Sequence, residues 1–126
     1  INDYDFKDYD RATNIYWPGN KLGHGREDVI KFWNSLKSIL SEIKFKIEHV
    51  GYLDEPNRNP RASIRWSLEG IHSKDSKDYG KKTNSNLSFI GINHAELNPY
   101  GVIKEWVLFD EVAIWKQILM NRNKNG

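Results

Sequence analysis

Polar side chains in the second half of the chain have the types and spacing that proton-transfer chemistry needs. Glu105 has apolar residues two positions away on either side, and Asp110 directly follows Phe109. A carboxylate among apolar neighbours becomes basic enough to accept a proton near neutral pH, so both acids are candidate general bases. Asn93 and His94 lie in the preceding apolar stretch, where an amide could steady an enolate oxygen and an imidazole could shuttle a proton.

Each of these candidate catalytic residues also has a purely structural interpretation. Glu105 could be exposed or paired with Arg65, and Asp110 could cap a following helix through its side-chain oxygen. His94 could pair with a glutamate or with solvent. Because Asn93 and His94 are consecutive, only one of them can face inward from a regular strand.

Aromatic residues supply the apolar part of the predicted site. Tyr16, Trp17 and Trp33 form one set, and Trp66 shares a predicted strand face with His72. Such rings could stack on a flat ligand, or they could only pack a helix against a sheet. The candidate ligand-binding residues are Tyr16, Trp17, Trp33, Trp66, His72, Asn93 and Phe109.

The elements that must position these residues follow from hydrophobic periodicity. Apolar residues at helical spacing predict a long helix over Arg26–Ile43. Alternation predicts strands over residues 13–17, 45–50, 62–69, 87–97 and 102–109, and a closing helix follows Asp110. This order predicts an α+β fold in which a curved antiparallel sheet wraps on the long helix and leaves a cavity.

Composition narrows the classes of function. The 126 residues carry a formal net charge of +2 with Lys and Arg spread along the chain, which does not favour nucleic-acid binding. No apolar run reaches the length of a membrane span. Cysteine is absent, so disulfides and thiolate metal sites are impossible, and we expect a cytoplasmic protein.

The sequence predicts neither a metal ion nor an organic cofactor. The four histidines are not spaced as close metal-binding pairs, and no glycine-rich phosphate loop is present. The chain begins at Ile1 instead of Met, so we expect upstream residues to be missing from a single domain that spans 1–126.

Three stretches carry a resemblance to a known family. Gly25-Arg26-Glu27 opens the long helix, residues 62–72 form a strand ending in Gly70-Ile71-His72, and residues 91–111 include Glu105-Trp106 and Phe109-Asp110-Glu111. Together they resemble the SnoaL-like polyketide cyclases of the nuclear-transport-factor-2-like (NTF2-like) superfamily.

The resemblance implies a cone-shaped fold, a homodimer formed through the sheet, and a pocket for a hydrophobic carbonyl-bearing small molecule. It also implies cyclase- or isomerase-type proton transfer, with Glu105 or Asp110 as base and Asn93 or His94 at the enolate oxygen. Of the last two residues, the resemblance favours Asn93 as the one that faces inward. At the position aligned with the acid of the ring-closing members stands Val107. A non-catalytic ligand-binding or dimerisation module, or an accessory domain of a longer chain, is therefore the alternative.

Overall fold

The computed structural model describes residues 8–125, with side chains described through Arg122. The hydrophobic alternation and helical spacing of the sequence become six strands and two helices in this part of the chain. In order these are β1 (Tyr9–Trp17), β2 (Lys21–His24), α1 (Gly25–Lys37), β3 (Leu40–Leu53), β4 (Arg61–His72), β5 (Asn86–Asn98), β6 (Gly101–Phe109) and α2 (Glu111–Asn125).

The strands form one sheet in the order β2-β1-β6-β5-β4-β3. Neighbouring strands are antiparallel except for β1 and β6, which run parallel. The expectation of a purely antiparallel sheet is therefore wrong for this one pair. No hairpin connects β1 to β6, so no short turn dictates their relative direction. We call the face against which α1 packs the concave face and the opposite one the outer face.

Helix α1 is shorter than the sequence predicts, ending at Lys37 instead of Ile43. It starts at Gly25, whose φ of +82° suits glycine, and the Asp28 carboxylate accepts a hydrogen bond from the backbone N–H of His24 at 2.8 Å. Its buried residues, Val29, Trp33 and Leu36, repeat at helical spacing and face the sheet.

Strand β3 takes over where the helix was expected to continue. Leu40 is buried and pairs with His72, and a bulge between Ser41 and Lys44 places Glu42 at a φ of +51°. The bulge shifts the alternation, so apolar residues of a strand fall at a spacing that also fits a helix. This is why the sequence pattern misplaces the boundary.

Aromatic rings fill the space between α1 and the concave face. Trp33 meets Trp17 edge-on with ring centroids 5.0 Å apart and meets Trp66 at 5.7 Å. Trp66 packs over Gly91, where even a Cβ atom would come within 2.2 Å of the indole. Gly91 is therefore required for this close approach of ring and backbone.

Helix α2 closes one end of the sheet. Asp110 caps it, because its carboxylate accepts a hydrogen bond from the backbone N–H of Ala113 at 3.0 Å. The side chain of Gln117 bonds both backbone groups of Ser88, accepting from its N–H at 2.9 Å and donating to its C=O at 2.8 Å. It thus replaces a strand partner where β5 extends beyond β6.

Candidate functional site

Among the described residues, four buried polar side chains on β1, β5 and β6 face the concave side of the sheet. Tyr9 and Thr13 come from β1, Asn93 from β5 and Glu105 from β6, and each is at most 2% exposed. Buried polar groups on a sheet face are costly unless they are bonded, so such a concentration marks a candidate site.

Glu105 lies at the centre of this group. Its carboxylate accepts a hydrogen bond from the hydroxyl of Tyr9 at 2.6 Å, a contact between residues 96 positions apart in the chain. Arg26 at the start of α1 donates from Nε to the backbone oxygen of Tyr9 at 2.7 Å. The tyrosine is therefore held at both its backbone and its hydroxyl, which fixes the geometry of the acid it contacts.

Asn93 is oriented by the neighbouring strand. The indole N–H of Trp66 donates to its side-chain oxygen at 2.9 Å, and both residues are fully buried. This bond assigns the oxygen of the amide to the indole and directs its NH₂ group elsewhere. In the register of β5 and β6, Asn93 lies opposite Val107 and Ala95 lies opposite Glu105. Asn93 and Glu105 are therefore diagonal neighbours, about 7 Å apart.

Thr13 adds a hydroxyl for which the described part of the chain, residues 8–125, provides no hydrogen-bond partner. The side chain is completely buried, and its Oγ1 atom lies in the irregular part of β1 between Tyr9 and Asn14. An unpaired buried hydroxyl costs free energy that a bound polar group could recover. Neither Tyr9 nor Thr13 was predicted as a site residue.

The comparisons with known proteins identify the architecture around this site. No family model matches the chain, and no curated protein matches it in sequence. A proposed SnoaL-like polyketide cyclase from Jannaschia sp. CCS1 superposes with a TM-score of 0.72 at 14% identity, covering 88% of this chain and 73% of that one. AclR, a proposed hydroxylase from Streptomyces galilaeus, gives 0.69 at 10% identity, with 91% and 80% covered. An NTF2-like protein of unknown function from Exiguobacterium sp. 255-15 gives 0.58 at 17% identity, with 84% and 80% covered.

The chain has the same fold as these SnoaL-like and NTF2-like structures. The fold class predicted from the sequence is confirmed. Sequence identities this low establish the fold alone, so any activity of this domain has to be argued from its own residues.

The structure brings three of the predicted residues together with the site. Glu105 and Asn93 face inward, and Trp66 holds Asn93. The rings of Trp17, Trp33 and Phe109 form an aromatic wall beside them, with Phe109 at 6.1 Å from Trp66. Trp17 and Trp33 are buried by packing between α1 and the sheet.

Three other predicted residues lie elsewhere. His94 and Tyr16 are on the outer face, because each is adjacent in a strand to a residue that faces inward. His94 borders a hollow of about 250 Å³ with Gly51 and Ser63. Asp110 is exposed beside α2 in a groove of about 740 Å³. Neither His94 nor Asp110 can therefore act together with Glu105 on one molecule at the concave face.

His72 is buried at the far end of β4, six residues from Trp66 on the same face. At about 3.3 Å per residue it lies roughly 20 Å along the strand from that ring, outside the polar group. Its Nδ1 is 3.2 Å from the hydroxyl of Thr83. Burial, and next the charge of Arg122, lower the pKa of His72, which favours the neutral imidazole.

Two further observations concern ions and membranes. Within residues 8–125, no three His, Asp or Glu side chains converge into a group that could hold a metal ion. In the same part of the chain, neither helix combines the length and the apolarity that crossing a membrane requires.

Proposed function

We propose that the concave face binds a hydrophobic small molecule with a carbonyl group and that Glu105 transfers a proton to and from it. The observation that carries the proposal is the buried carboxylate of Glu105, fixed by the Tyr9 hydroxyl beside the oriented amide of Asn93. An acid placed among apolar neighbours and held in one geometry is the usual arrangement of a general base.

The reaction class that fits these groups is proton abstraction next to a carbonyl. The C–H bond breaks, its proton passes to the Glu105 carboxylate, and the electron pair moves to the carbonyl oxygen to form an enolate. The Asn93 amide or the Thr13 hydroxyl donates a hydrogen bond to that oxygen. Glu105 then returns the proton, so no cofactor is needed.

The test uses α-tetralone, a flat aromatic ketone, as the probe. We expect the protein to accelerate exchange of its α-protons in D₂O, measured by NMR, and Glu105→Gln to slow the catalysed exchange by about 100-fold or more. Glutamine can still accept the Tyr9 hydrogen bond, so binding, followed by the indole N–H signal of Trp66, should persist. Glu69→Gln, on an exposed position of β4, is the matched control and should exchange the ketone normally.

Val107 favours a second candidate, a binding module without catalysis. The resemblance to ring-closing cyclases places their acid at this position, and valine cannot carry a proton. If α-tetralone binds but its protons exchange at the rate in buffer, the binding module is correct and the catalytic proposal fails. If the ketone does not bind, both fail.

We also propose that two copies of the chain associate through the outer face. Apolar side chains lie side by side there on four consecutive strands, and the rings of Tyr16 and Trp106 stack with centroids 5.4 Å apart. A large exposed apolar patch usually marks an interface, and a second copy needs no surface other than this one. The exposed members are Tyr16, Leu22, Ile90, Ile92, Trp106 and Leu108.

Light scattering tests this association. Leu108 is 59% exposed within the patch, and we expect Leu108→Glu to give a mass near the 14.8 kDa of one chain where the unaltered protein gives twice that value. Leu119→Glu changes an equally exposed leucine on α2 and should leave the dimer intact. A monomeric unaltered protein at micromolar concentration would refute the proposal.

A further inference from the structure

Apolar side chains at the free edge of the sheet lead towards the candidate site. Ile47, Val50 and Tyr52 on β3 pair with Trp66, Ile64 and Ala62 of β4, so they belong to the concave face. They are nevertheless 44%, 56% and 64% exposed. Helix α1 contacts β1, β2 and β3 but leaves these three side chains exposed.

One row of residues runs from this edge to the buried acid. Tyr52 pairs with Ala62, Ala62 with Ala95, and Ala95 with Glu105. Burial increases along the row: Tyr52 is 64% exposed, Ala62 is half-buried, Ala95 is 5% exposed and Glu105 is 1% exposed. The row therefore has an open end at β3 and a closed end at β6.

The side chains of the two alanines in the middle of this row are short, so they extend little from the sheet. Their side chains end at Cβ, whereas the neighbouring row carries the longer side chains of Ile64 and Asn93. We call the strip of short side chains beside Ile64 and Asn93, which crosses β4 and β5, the slot. Three strand spacings of about 4.8 Å make the slot about 14 Å long from Tyr52 to Glu105.

The neighbouring row, which starts at Val50, has the same order of an apolar open end and a polar closed end. Val50 is 56% exposed and pairs with half-buried Ile64, which pairs with completely buried Asn93. Both rows thus present apolar side chains at the open end and a hydrogen-bonding side chain at the closed end. A ligand that satisfies both must be apolar along its length and polar at one tip.

We propose that the ligand is an extended amphiphile, with a carbonyl head at Asn93 and Glu105 and an alkyl or similarly slender tail that leaves along the alanine row to contact Val50 and Tyr52. This rests on the proposed function, since it takes the head site from it and adds the class of the tail. It also gives the exposed apolar residues of β3 a role in ligand selection.

The experiment compares 2-hexanone with 2-decanone as probes by tryptophan fluorescence titration. Both ketones should bind, and affinity should rise by about threefold for each added methylene that enters the slot. Tyr52→Ser should weaken 2-decanone by about tenfold and leave 2-hexanone unchanged, because only the longer chain reaches β3. Leu53→Ser is the matched control: it alters the next residue, which pairs with Arg61 on the outer face, and should change neither affinity.

The outcomes separate this inference from the function it rests on. An NOE between the terminal methyl of 2-decanone and the Tyr52 ring would support the slot directly. Binding of 2-hexanone with no gain for 2-decanone, or equal effects of Tyr52→Ser and Leu53→Ser, would overturn the slot and leave the head site standing. Failure of both ketones to bind would overturn the proposed function as well.

Discussion

Replacing Gly91 by alanine tests the packing that orients Asn93. A Cβ atom at this position would lie 2.2, 2.5 and 2.7 Å from the Cζ2, Cε2 and Cη2 atoms of Trp66. Such distances are far inside van der Waals contact, so the indole or the strand has to move. The ring has little freedom, because Trp33, Phe45 and Phe89 all pack around it with centroids 5.6–6.1 Å away.

The expected cost follows from two effects. Forcing extra volume into a packed core costs about 1–3 kcal/mol. Displacing the indole also breaks its 2.9 Å hydrogen bond to buried Asn93, for about 1 kcal/mol more. Alanine restricts the unfolded chain more than glycine does, which offsets less than 1 kcal/mol of this loss in stability. We therefore expect Gly91→Ala to lower the free energy of unfolding by about 3 kcal/mol, or the Tm by about 10 °C.

Urea unfolding followed by tryptophan fluorescence measures this loss. Gly51→Ala is the matched control, because a Cβ there meets Ser63 only at 3.9 Å, and it should be neutral or slightly stabilising. Adding Trp66→Phe to Gly91→Ala should recover part of the loss, since the smaller ring does not reach over the new methyl group. A Gly91→Ala protein as stable as the unaltered one, or strictly additive effects of the two changes, would refute the reasoning.

Three other perturbations have expected outcomes. Asp110→Ala should lower the free energy of unfolding by about 1 kcal/mol through loss of the α2 cap, whereas Asp110→Ser, which still caps, should retain nearly all of it in urea titrations. Because burial lowers the pKa of His72 below 6.5, with the Arg122 charge acting the same way and Asp75 opposing it, the unfolded chain takes up this proton first. Stability should therefore fall as the pH drops through about 6.5 and level off below the folded-state pKa, and His72→Gln should flatten that part of the profile. Gln117→Ala should speed hydrogen exchange of the Ser88 amide about fivefold, corresponding to about 1 kcal/mol for its lost bonds; an unchanged rate would mean that solvent already competes there.

Regular alternation made the central strands predictable. The expected strands over residues 62–69, 87–97 and 102–109 all lie inside β4, β5 and β6. Strand β5 alternates without a break from Leu87 to Ala95, so the orientation of one residue determines that of the others. Asn93 faces inward, as the resemblance implies. The role of Asp110 as a helix cap was equally predictable, since a capping residue and the N–H group that donates to it are close together in the chain.

The elements that sequence reasoning missed depend on contacts between distant parts of the chain. Strand β2 has only four residues, too few for a periodic pattern, and it exists because it pairs with β1 across the Pro18–Asn20 turn. The parallel pairing of β1 with β6 has no local signal. The same holds for the end of α1, which a bulge in β3 disguises.

The site was predictable only in part for the same reason. The apolar neighbours of Glu105 left burial and exposure equally open, and the structure places it inside at 1% exposed. Its partner Tyr9 comes from the other end of the chain, and Thr13 occupies an irregular stretch of β1, so neither carries a pattern that could have revealed it. A polar site assembled from three strands is set by register, which single-strand patterns do not contain.

Register also bears on what this domain can share with the cyclases it resembles. Residues two apart on a strand face the same side, so Glu105 points into the same space as Val107, one row further along β6. That displacement is about 7 Å, more than the length of a carboxyl group and its reach for a proton. The resemblance to ring-closing cyclases implies a substrate whose reacting carbon lies beside residue 107. In this chain, such a substrate would contact valine. Shared proton-transfer chemistry therefore requires a substrate whose reacting carbon lies one row away, beside Glu105 and Ala95. A ligand whose reacting carbon lies beside Val107 would be bound without being turned over.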